Sequence, residues 1–171
     1  MADQEYTDAI ALLKADHRKV AKLFEDYEAA SGSAAKKKLS HQICVELKIH
    51  TTLEEEIFYP AYRGKIEDDT LDEAYVEHDG AKVLINDIEA GSPDDDFYDA
   101  KVHVLSEEIT HHVKEEEMPS EGMFAQCRKV EDVDLVAMRD AMLARKAELL
   151  AQEKASGLPP AEPRVVNLQP A

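Results

Sequence analysis

The sequence has few cysteines, no tryptophan and no long apolar run, and these absences narrow the class of protein. Of its 171 residues only Cys44 and Cys127 are cysteines, without a Cys-x-x-Cys pair, so a disulfide framework is not indicated. No run of about 18 apolar residues occurs, so no transmembrane helix is predicted. The opening string MADQEYTDAI lacks the basic and apolar regions of a signal peptide. We therefore expect a cytoplasmic protein.

Basic residues are scarce relative to acidic ones. Lys and Arg number 20 and Asp and Glu 37, which gives a net charge of −17. The phosphates of nucleic acids and of anionic membranes repel such a chain, so we expect neither nucleic-acid nor membrane partners. Hydrophobic residues make up 44% of the sequence and charged residues 33%, which is typical of a globular protein rather than a disordered one.

Apolar residues recur every three or four positions in four segments, which is the period of an amphipathic α-helix. No segment alternates apolar and polar residues as a half-buried strand does, so the sequence predicts an all-α fold. Short connections favour an up-down-up-down antiparallel four-helix bundle. The four stripes are Ile10-Leu13-His17-Val20-Phe24-Tyr27, Ile43-Leu47-His50-Glu54-Ile57-Phe58, Leu71-Ala74-His78-Ala81-Ile85-Ile88 and Val102-Leu105-Ile109-His112-Glu116.

The pattern divides the chain into three parts. We assign residues 1–128 to the bundle and residues 129–155 to an additional C-terminal helix packed on it, through which the protein could form an oligomer. Residues 156–171 are rich in proline and lack periodicity, which predicts a flexible tail. Within the bundle, Thr7 or Asp8 is expected to cap the first helix, and Ser92-Pro93-Asp94 is expected to begin the fourth.

Every stripe carries a histidine where the pattern requires an apolar residue. His50 and His112 are each followed four positions later by a glutamate, and residues at this spacing share one helix face. Burying imidazoles and carboxylates is costly unless they are compensated, and coordination of a metal ion supplies that compensation. The predicted ligands are His17, His50, Glu54, His78, His112 and Glu116.

Imidazole and carboxylate ligands together suit iron, manganese or zinc. The ligand count favours two metal ions, with the two glutamates bridging and the four histidines as terminal ligands. This set leaves about four positions open if both metals are six-coordinate, so the site is expected to bind or activate small molecules.

The order His, His-x-x-x-Glu, His, His-x-x-x-Glu resembles the hemerythrin-like, or HHE cation-binding, domain family over roughly residues 8–126. The likeness extends to the strings ADHRKVAKLF, HTTLEEEIFYP, YVEHDGAKV and HHVKEEE. It implies a non-haem centre of two iron ions joined by an oxo or hydroxo bridge. It also implies binding of dioxygen, nitric oxide or peroxide, in oxygen or redox sensing or in a stress response.

One position departs from the pattern of oxygen-carrying hemerythrins. They place a second histidine one turn after the histidine of the third helix, where this sequence has Lys82. A lysine ligates only as a neutral amine, so one metal is expected to lack a ligand or to use Glu115 or a tyrosine instead. This departure favours redox reactivity or sensing over reversible oxygen carriage.

His111 and Glu115 have the same spacing as His112 and Glu116, so the motif alone does not choose between the pairs. Periodicity favours His112, because it follows Ile109 by three positions, as His50 follows Leu47. His41 and His103 fall outside the stripes and are expected at the surface.

The remaining polar residues of these segments have less specific expectations. Glu55, Glu56, Glu115 and Glu117 are predicted to form a solvated acidic face, and Asp16 and Glu77 to be surface acids, although either could orient a histidine. Cys44 is expected to be inert in the core, and Cys127 exposed and open to oxidation. Four tyrosines are expected to pack in the core or at an interface: Tyr27, Tyr59, Tyr62 and Tyr75.

Three functions remain open at this point. The first is a di-iron protein that binds a diatomic molecule or peroxide as a sensor, scavenger or stress-response protein. The second is a di-iron peroxidase or oxidase that uses the vacancy beside Lys82. The third is a module that stores or senses iron and whose folding depends on metal occupancy. No nucleotide-binding, hydrolase or zinc-protease motif is found.

Overall fold

The fold, taken from a computed structural model that describes residues 6–167, consists of helices with no β-strand in that range. The all-α prediction is confirmed. No helix among the described residues combines the length and apolar character needed to cross a membrane. The elements are α1 (Ala9–Ala29), α2 (Ser33–Leu53), a π-helical turn (Glu54–Phe58), α3 (Tyr59–Tyr62), α4 (Asp68–Ala90), α5 (Tyr98–Glu117), α6 (Met123–Cys127) and α7 (Leu135–Ser156).

Helices α1, α2, α4 and α5 form the predicted antiparallel four-helix bundle. The end of α1 lies beside the start of α2, and the Tyr27 hydroxyl and Lys36 Nζ both contact the carboxylate of Asp99 at the start of α5. Likewise Asp87 near the end of α4 pairs with Lys101 near the start of α5. The additional helix α7 packs outside, against α1 and α2.

Helix starts agree with the sequence at α1 but not at α5. The Asp8 carboxylate caps α1 by accepting a 2.9 Å hydrogen bond from the backbone N–H of Ala11. Helix α5 begins at Tyr98 rather than after Ser92-Pro93-Asp94. The Asp95 carboxylate accepts the N–H of Ser92 and closes a turn there, so the predicted cap at Ser92 was wrong.

A π-helical turn continues α2 and changes the side chains that face the bundle axis. The backbone N–H of Tyr59 donates to the carbonyl of Glu54, five residues earlier, instead of to a carbonyl four residues earlier. The extra residue in the turn shifts the register by one position, so the face that carries His50 and Glu54 continues through Tyr59. Such turns occur often at functional sites.

The apolar core is divided into two clusters by a polar layer. One contains Val20, Phe24 and residues of the other three bundle helices, and the second contains Leu13, Phe58 and residues of α6 and α7. His17 lies between Leu13 and Val20 on α1, so the histidines occupy the layer between the clusters.

The segment that follows α7 contacts the side of the bundle. Lys48 Nζ donates to the carbonyl of Leu158, and Asn86 exchanges two 2.8 Å hydrogen bonds with the backbone of Ala161. Composition predicts a flexible tail here, whereas the structure gives residues 157–167 defined partners. Residues 168–171 of the predicted tail lie outside the described residues. The contacts were not foreseen because they depend on single polar side chains of α2 and α4.

Candidate metal centre

The structure brings the four predicted histidines together in the polar layer, all of them buried. His17 Nε2 lies 3.1 Å from His50 Nε2, which pairs α1 with α2. His78 Nε2 lies 3.2 Å from His112 Nε2, which pairs α4 with α5. Each helix therefore contributes one ring nitrogen, and the four nitrogens form two pairs.

Glu54 lies between the two histidine pairs and is fully buried. Its Oε1 is 3.3 Å from His50 Nε2, and its Oε2 is 3.2 Å from His78 Nε2. One carboxylate thus offers a separate oxygen to each pair.

Glu116 has the same arrangement from the opposite helix. Its Oε2 is 3.2 Å from His17 Nε2, and its Oε1 is 3.5 Å from His112 Nε2. Two carboxylates that each face both pairs are what a bridged two-metal site requires. The structure therefore places all six predicted residues in one cluster.

The other ring nitrogens of the α1 and α2 histidines face carboxylates. Glu117 Oε1 accepts a 2.7 Å hydrogen bond from His17 Nδ1, and Asp16 Oδ2 lies 3.8 Å from His50 Nδ1. Arg18 of α1 pairs with Glu117, and Lys146 of α7 pairs with Asp16, so both carboxylates are held in place.

The α4 and α5 histidines have the same arrangement. Glu55 Oε1 lies 3.0 Å from His78 Nδ1, and Glu77 Oε2 lies 2.7 Å from His112 Nδ1. A carboxylate at Nδ1 keeps the proton there and leaves the Nε2 lone pair for a metal, and such partners commonly orient metal-bound histidines.

The expectation of a solvated acidic face was therefore wrong for two of its members. Glu55 is buried, and the side chain of Glu117 is only 15% exposed. Asp16 and Glu77 contact histidines rather than acting as plain surface acids. A single sequence carries no signal for Glu55 or Glu117, because each acts on a histidine of a different helix. Glu77 was named as a residue that could orient a histidine, and it contacts His112.

Tyr59 lies beside the centre, although the sequence favoured packing in the core or at an interface for it and did not single it out when it left open a tyrosine near one metal. Its hydroxyl lies 3.0 Å from Glu116 Oε1 and 3.2 Å from both Glu54 Oε2 and His78 Nε2. Burial and the two carboxylates raise its pKa well above the usual value, so the metal-free site holds a neutral phenol. Only the π-helical turn places Tyr59 here.

Lys82 is buried but is directed to carboxylates. Its ammonium bonds both oxygens of Glu55, at 2.7 and 2.9 Å, and Asp79 Oδ1 at 3.2 Å. The position that carries a second histidine in oxygen-carrying hemerythrins thus supports the carboxylate behind His78. Tyr59 contacts the same His78 side of the cluster.

The electrostatics of the cluster depend on carboxylates next to imidazoles. Burial lowers the pKa of His50, but the charge of Glu54 and the neighbouring carboxylates outweigh it and raise that pKa to about 10. The pKa of His78 is raised to about 9 in the same way, by Glu54 and Glu55 against burial. Burial favours the neutral form of Glu54, yet His50 and His78 hold its pKa well below the usual range.

The buried donor atoms of the cluster are not all satisfied by hydrogen bonds within the protein, and they fit metal ions. Glu54 Oε1 and Glu116 Oε2 are buried without a hydrogen-bond partner. Unsatisfied buried carboxylate oxygens are costly, and metal ions satisfy them. The ligand atoms form two groups, each within 4.8 Å, that share one glutamate: His17, His50, Glu54 and Glu116, and Glu54, His78 and His112.

The competing pair on α5 lies outside this centre. The His111 side chain is 63% exposed, whereas that of His112 is 5% exposed. His111, Glu115 and Glu77 form a separate group near the surface. His41 and His103 are exposed, as the sequence predicts.

The two cysteines are both buried. Burial raises the pKa of Cys44 to about 12, which agrees with the inert role expected for it. The predicted exposure of Cys127 was wrong. Helix α6 packs its thiol into the core, where burial raises its pKa as well.

A small void adjoins the histidine cluster. It measures about 10 Å³ and is lined by the four histidines and by apolar side chains such as Val20, Leu47 and Ile109. This is close to the least volume that holds one water molecule. A molecule larger than a few atoms has no room there without movement of the side chains.

These features define a four-helix bundle with a buried His/Glu site suited to cations. The model of the hemerythrin HHE cation binding domain matches residues 8–125. The chain belongs to this family.

Two similar proteins provide context for the fold and the sequence. The crystal structure of a hemerythrin HHE cation binding domain-containing protein from Mycobacterium kansasii superposes with a TM-score of 0.71 at 21% identity, covering 89% of this chain and 95% of that one. That similarity shows the shared fold. A DNA nickase of Nostoc sp. strain PCC 7120 is 28% identical over 116 residues, which are 68% of this chain. The match covers only 33% of that relative's length.

Proposed function

We propose that the chain is a non-haem di-iron protein that binds dioxygen, nitric oxide or peroxide in oxygen or redox sensing or in a stress response. The observation that carries the proposal is the arrangement of Glu54 and Glu116, each with one oxygen toward each histidine pair. His17 and His50 would hold one iron, and His78 and His112 the other. Iron bound there would supply redox chemistry toward small oxygen and nitrogen species.

The size and lining of the neighbouring void support a small ligand. The void of about 10 Å³ next to the histidines is close to the least volume that holds one water molecule, so it favours a ligand of very few atoms over a larger substrate. Val20, Leu47 and Ile109 give this void a partly apolar lining, and a less polar surrounding strengthens electrostatic interactions with a bound ligand.

Tyr59 favours a second candidate, a di-iron peroxidase. Its neutral phenol holds a proton 3.0 Å from Glu116 Oε1 and beside His78. A phenol at that position is a hydrogen-bond donor for a reacting oxygen species, and it occupies the side where Lys82 gives no ligand. The discriminating observation is turnover of peroxide with a reductant, abolished when the metal is removed.

The proposed partners are small molecules. The net charge of −17 opposes contact with nucleic acid or an anionic membrane, and nicking of DNA is not proposed for a chain that matches a third of the relative so named. Self-association through α7 stays a prediction, which sedimentation of the purified protein tests.

The first experiment is metal analysis of freshly purified protein by mass spectrometry, together with its absorption spectrum in air and under anaerobic conditions. We expect two irons per chain and near-ultraviolet bands of bridged ferric iron. Glu54→Ala is expected to lose the second metal, whereas the control Glu56→Ala, at a neighbouring position that pairs with Arg145, keeps both. Two irons retained at wild-type affinity in Glu54→Ala, or colourless protein after anaerobic ferrous loading, would contradict the proposal.

A further inference from the structure

The segment after α7 makes its most extensive contact with one buried carboxylate. Asp79 on α4 accepts hydrogen bonds from three consecutive backbone N–H groups, those of Arg164, Val165 and Val166, at 2.7 to 3.0 Å. These bonds hold the pKa of Asp79 below its usual value against the effect of burial. We call residues 157–167 the strap.

The strap is fixed at further points along its length. The N–H of Leu158 donates to Glu153 of α7, and its carbonyl accepts from Lys48 Nζ of α2. Ala161 pairs with Asn86 of α4 through both its N–H and its carbonyl. The strap therefore crosses from α7 over α2 to α4 with a bonded position every few residues.

The strap brings one cation to the carboxylate behind a candidate ligand. Arg164 Nε lies 2.5 Å from Glu55 Oε2, and the side chain of Glu55 is only 2% exposed. Glu55 Oε1 faces His78 Nδ1 at 3.0 Å, and Lys82 bonds both oxygens of the same carboxylate. A continuous chain of contacts thus joins Arg164 to His78 through Glu55.

We propose that the strap is part of the metal centre and that Arg164 is a positioning residue, which holds Glu55 against His78. The inference rests on the proposed function, since it concerns the histidine that would hold the second metal. Lys82 and Arg164 together balance the charges of Glu55 and Asp79, so neither carboxylate is left unpaired in the core. With Glu55 fixed, His78 keeps its proton on Nδ1 and directs the Nε2 lone pair toward the centre.

The chain offers a matched control at the same location. The strap and α7 form facing walls of a cavity of about 540 Å³, and Arg145 lines it from the α7 side. Arg145 pairs with Glu56, which lies next to Glu55 in sequence but has no histidine contact among the described residues. Arg145→Gln therefore removes an arginine–glutamate pair at the same cavity, with a more exposed carboxylate, without affecting the support of His78.

The first arm of the test uses the metal-free full chain and asks whether the strap is bound. Hydrogen–deuterium exchange read by mass spectrometry is expected to show protected amides in residues 158–166. Asp79→Ala is expected to remove the protection at the Arg164 end. Rapid exchange of these amides in the wild-type protein would show that the strap is not bound to the bundle, and the inference would fail.

The second arm uses Co²⁺ as the probe, because its visible spectrum reports on ligand geometry. Arg164→Gln is expected to shift this spectrum and to speed the loss of Co²⁺ to a chelator about tenfold, the low end for partners of metal-bound histidines. Arg164→Lys, which keeps the charge, is expected to restore part of the effect, and Arg145→Gln to behave as wild type.

The outcomes separate this inference from the proposed function. If the wild type binds two Co²⁺ and Arg164→Gln keeps the wild-type spectrum and rate, the positioning role is overturned while the two-metal site stands. If the wild type binds no Co²⁺ in a manner that depends on His78, both are overturned. Unchanged helicity of the metal-free Arg164→Gln variant shows that its effect is local rather than a loss of fold.

Discussion

The backbone N–H of Tyr59 donates to the carbonyl of Glu54, five residues earlier, and the Tyr59 hydroxyl lies 3.2 Å from the carboxylate of the same residue. The π-helical turn thus joins the two side chains twice, through backbone and through side chain. In a regular α-helix Phe58 would follow Glu54 at this position, and the site would have an apolar ring instead of a hydroxyl. The turn thus adds the Tyr59 hydroxyl, a seventh polar group, to the six histidines and glutamates of the centre.

Tyr59→Phe tests the contribution of that hydroxyl. The ring and its packing against Tyr75 remain, so we expect the fold to persist. The variant loses the group beside Glu116, Glu54 and His78, and we expect affinity for the second metal to fall about 10- to 100-fold, as for other groups that hold ligands in place. Metal titration followed by absorption measures the change.

The control for this variant is Tyr75→Phe, which removes a hydroxyl from the ring that packs against Tyr59 at 5.3 Å between centroids. It is expected to keep wild-type metal affinity. Equal metal affinity in wild type, Tyr59→Phe and Tyr75→Phe would show that the Tyr59 hydroxyl has no role in binding.

The sequence predicted the parts of the site that follow from one helix at a time. His17, His50, His78 and His112 stand out because each interrupts an apolar stripe, and Glu54 and Glu116 because they lie one turn further along. The rest depends on how helices face one another. Glu117 of α5 reaches His17 of α1, and no spacing within either helix encodes that contact.

Two further features were hidden for different reasons. Tyr59 reaches the centre only because one residue is inserted in the turn after Glu54, and the period of the sequence does not record it. The prolines of the strap predicted a flexible segment, although single side chains such as Asp79 on α4 accept its backbone N–H groups and Arg164 pairs with Glu55. Composition describes the average behaviour of a segment and says nothing of one specific partner.

Variants at the neighbouring histidines of α5 test which of them belongs to the centre. His112→Ala is expected to lose about one of two metals, because it removes a ligand from the pair formed with His78. His111→Ala is expected to keep both, since that side chain is exposed and faces Glu115 and Glu77. Metal content after gel filtration checks both variants, and a reversed result would assign the ligand to His111.

Proton release on metal binding follows from the raised pKa values of the metal-free site. Carboxylates outweigh burial and raise the pKa of His50 to about 10 and that of His78 to about 9. Both rings are therefore protonated near pH 7 and must lose a proton when Nε2 binds a metal. We expect metal binding to release more protons at about pH 7 than at about pH 10.5, where both rings are largely neutral.

The same shifts give the pH dependence of the metal-free protein. The protonated rings of His50 and His78 stabilise the folded protein through the neighbouring carboxylates. Because their folded-state pKa values lie above the unfolded value of about 6.5, this stabilisation is complete below about pH 6.5. It is lost as the pH rises through about 9 to 10.

Calorimetry in buffers of different ionisation enthalpy measures the protons released on metal binding. Equal release at both pH values would contradict the raised pKa values.

Gly122 tests the coupling between the turn after α5 and the centre. A Cβ at this position would lie 2.6 Å from the backbone N and O of Met118 and 2.8 Å from the carbonyl of Glu115, closer than such atoms approach. Gly122→Ala must therefore shift the end of α5, which carries Glu116. We expect a loss of about 1–3 kcal/mol in the free energy of unfolding, the range for overpacking, together with weaker metal binding.

Gly80→Ala is the matched control for this backbone effect. Gly80 is exposed within α4, and an added Cβ meets nothing within 4 Å. Alanine there lowers the conformational entropy of the unfolded chain and suits a helix, so we expect a gain of about 0.5–1 kcal/mol. Urea unfolding of the metal-free variants measures both changes. If Gly122→Ala were as stable as Gly80→Ala, the end of α5 would be free to move without cost, and the close approach at Gly122 would not constrain Glu116.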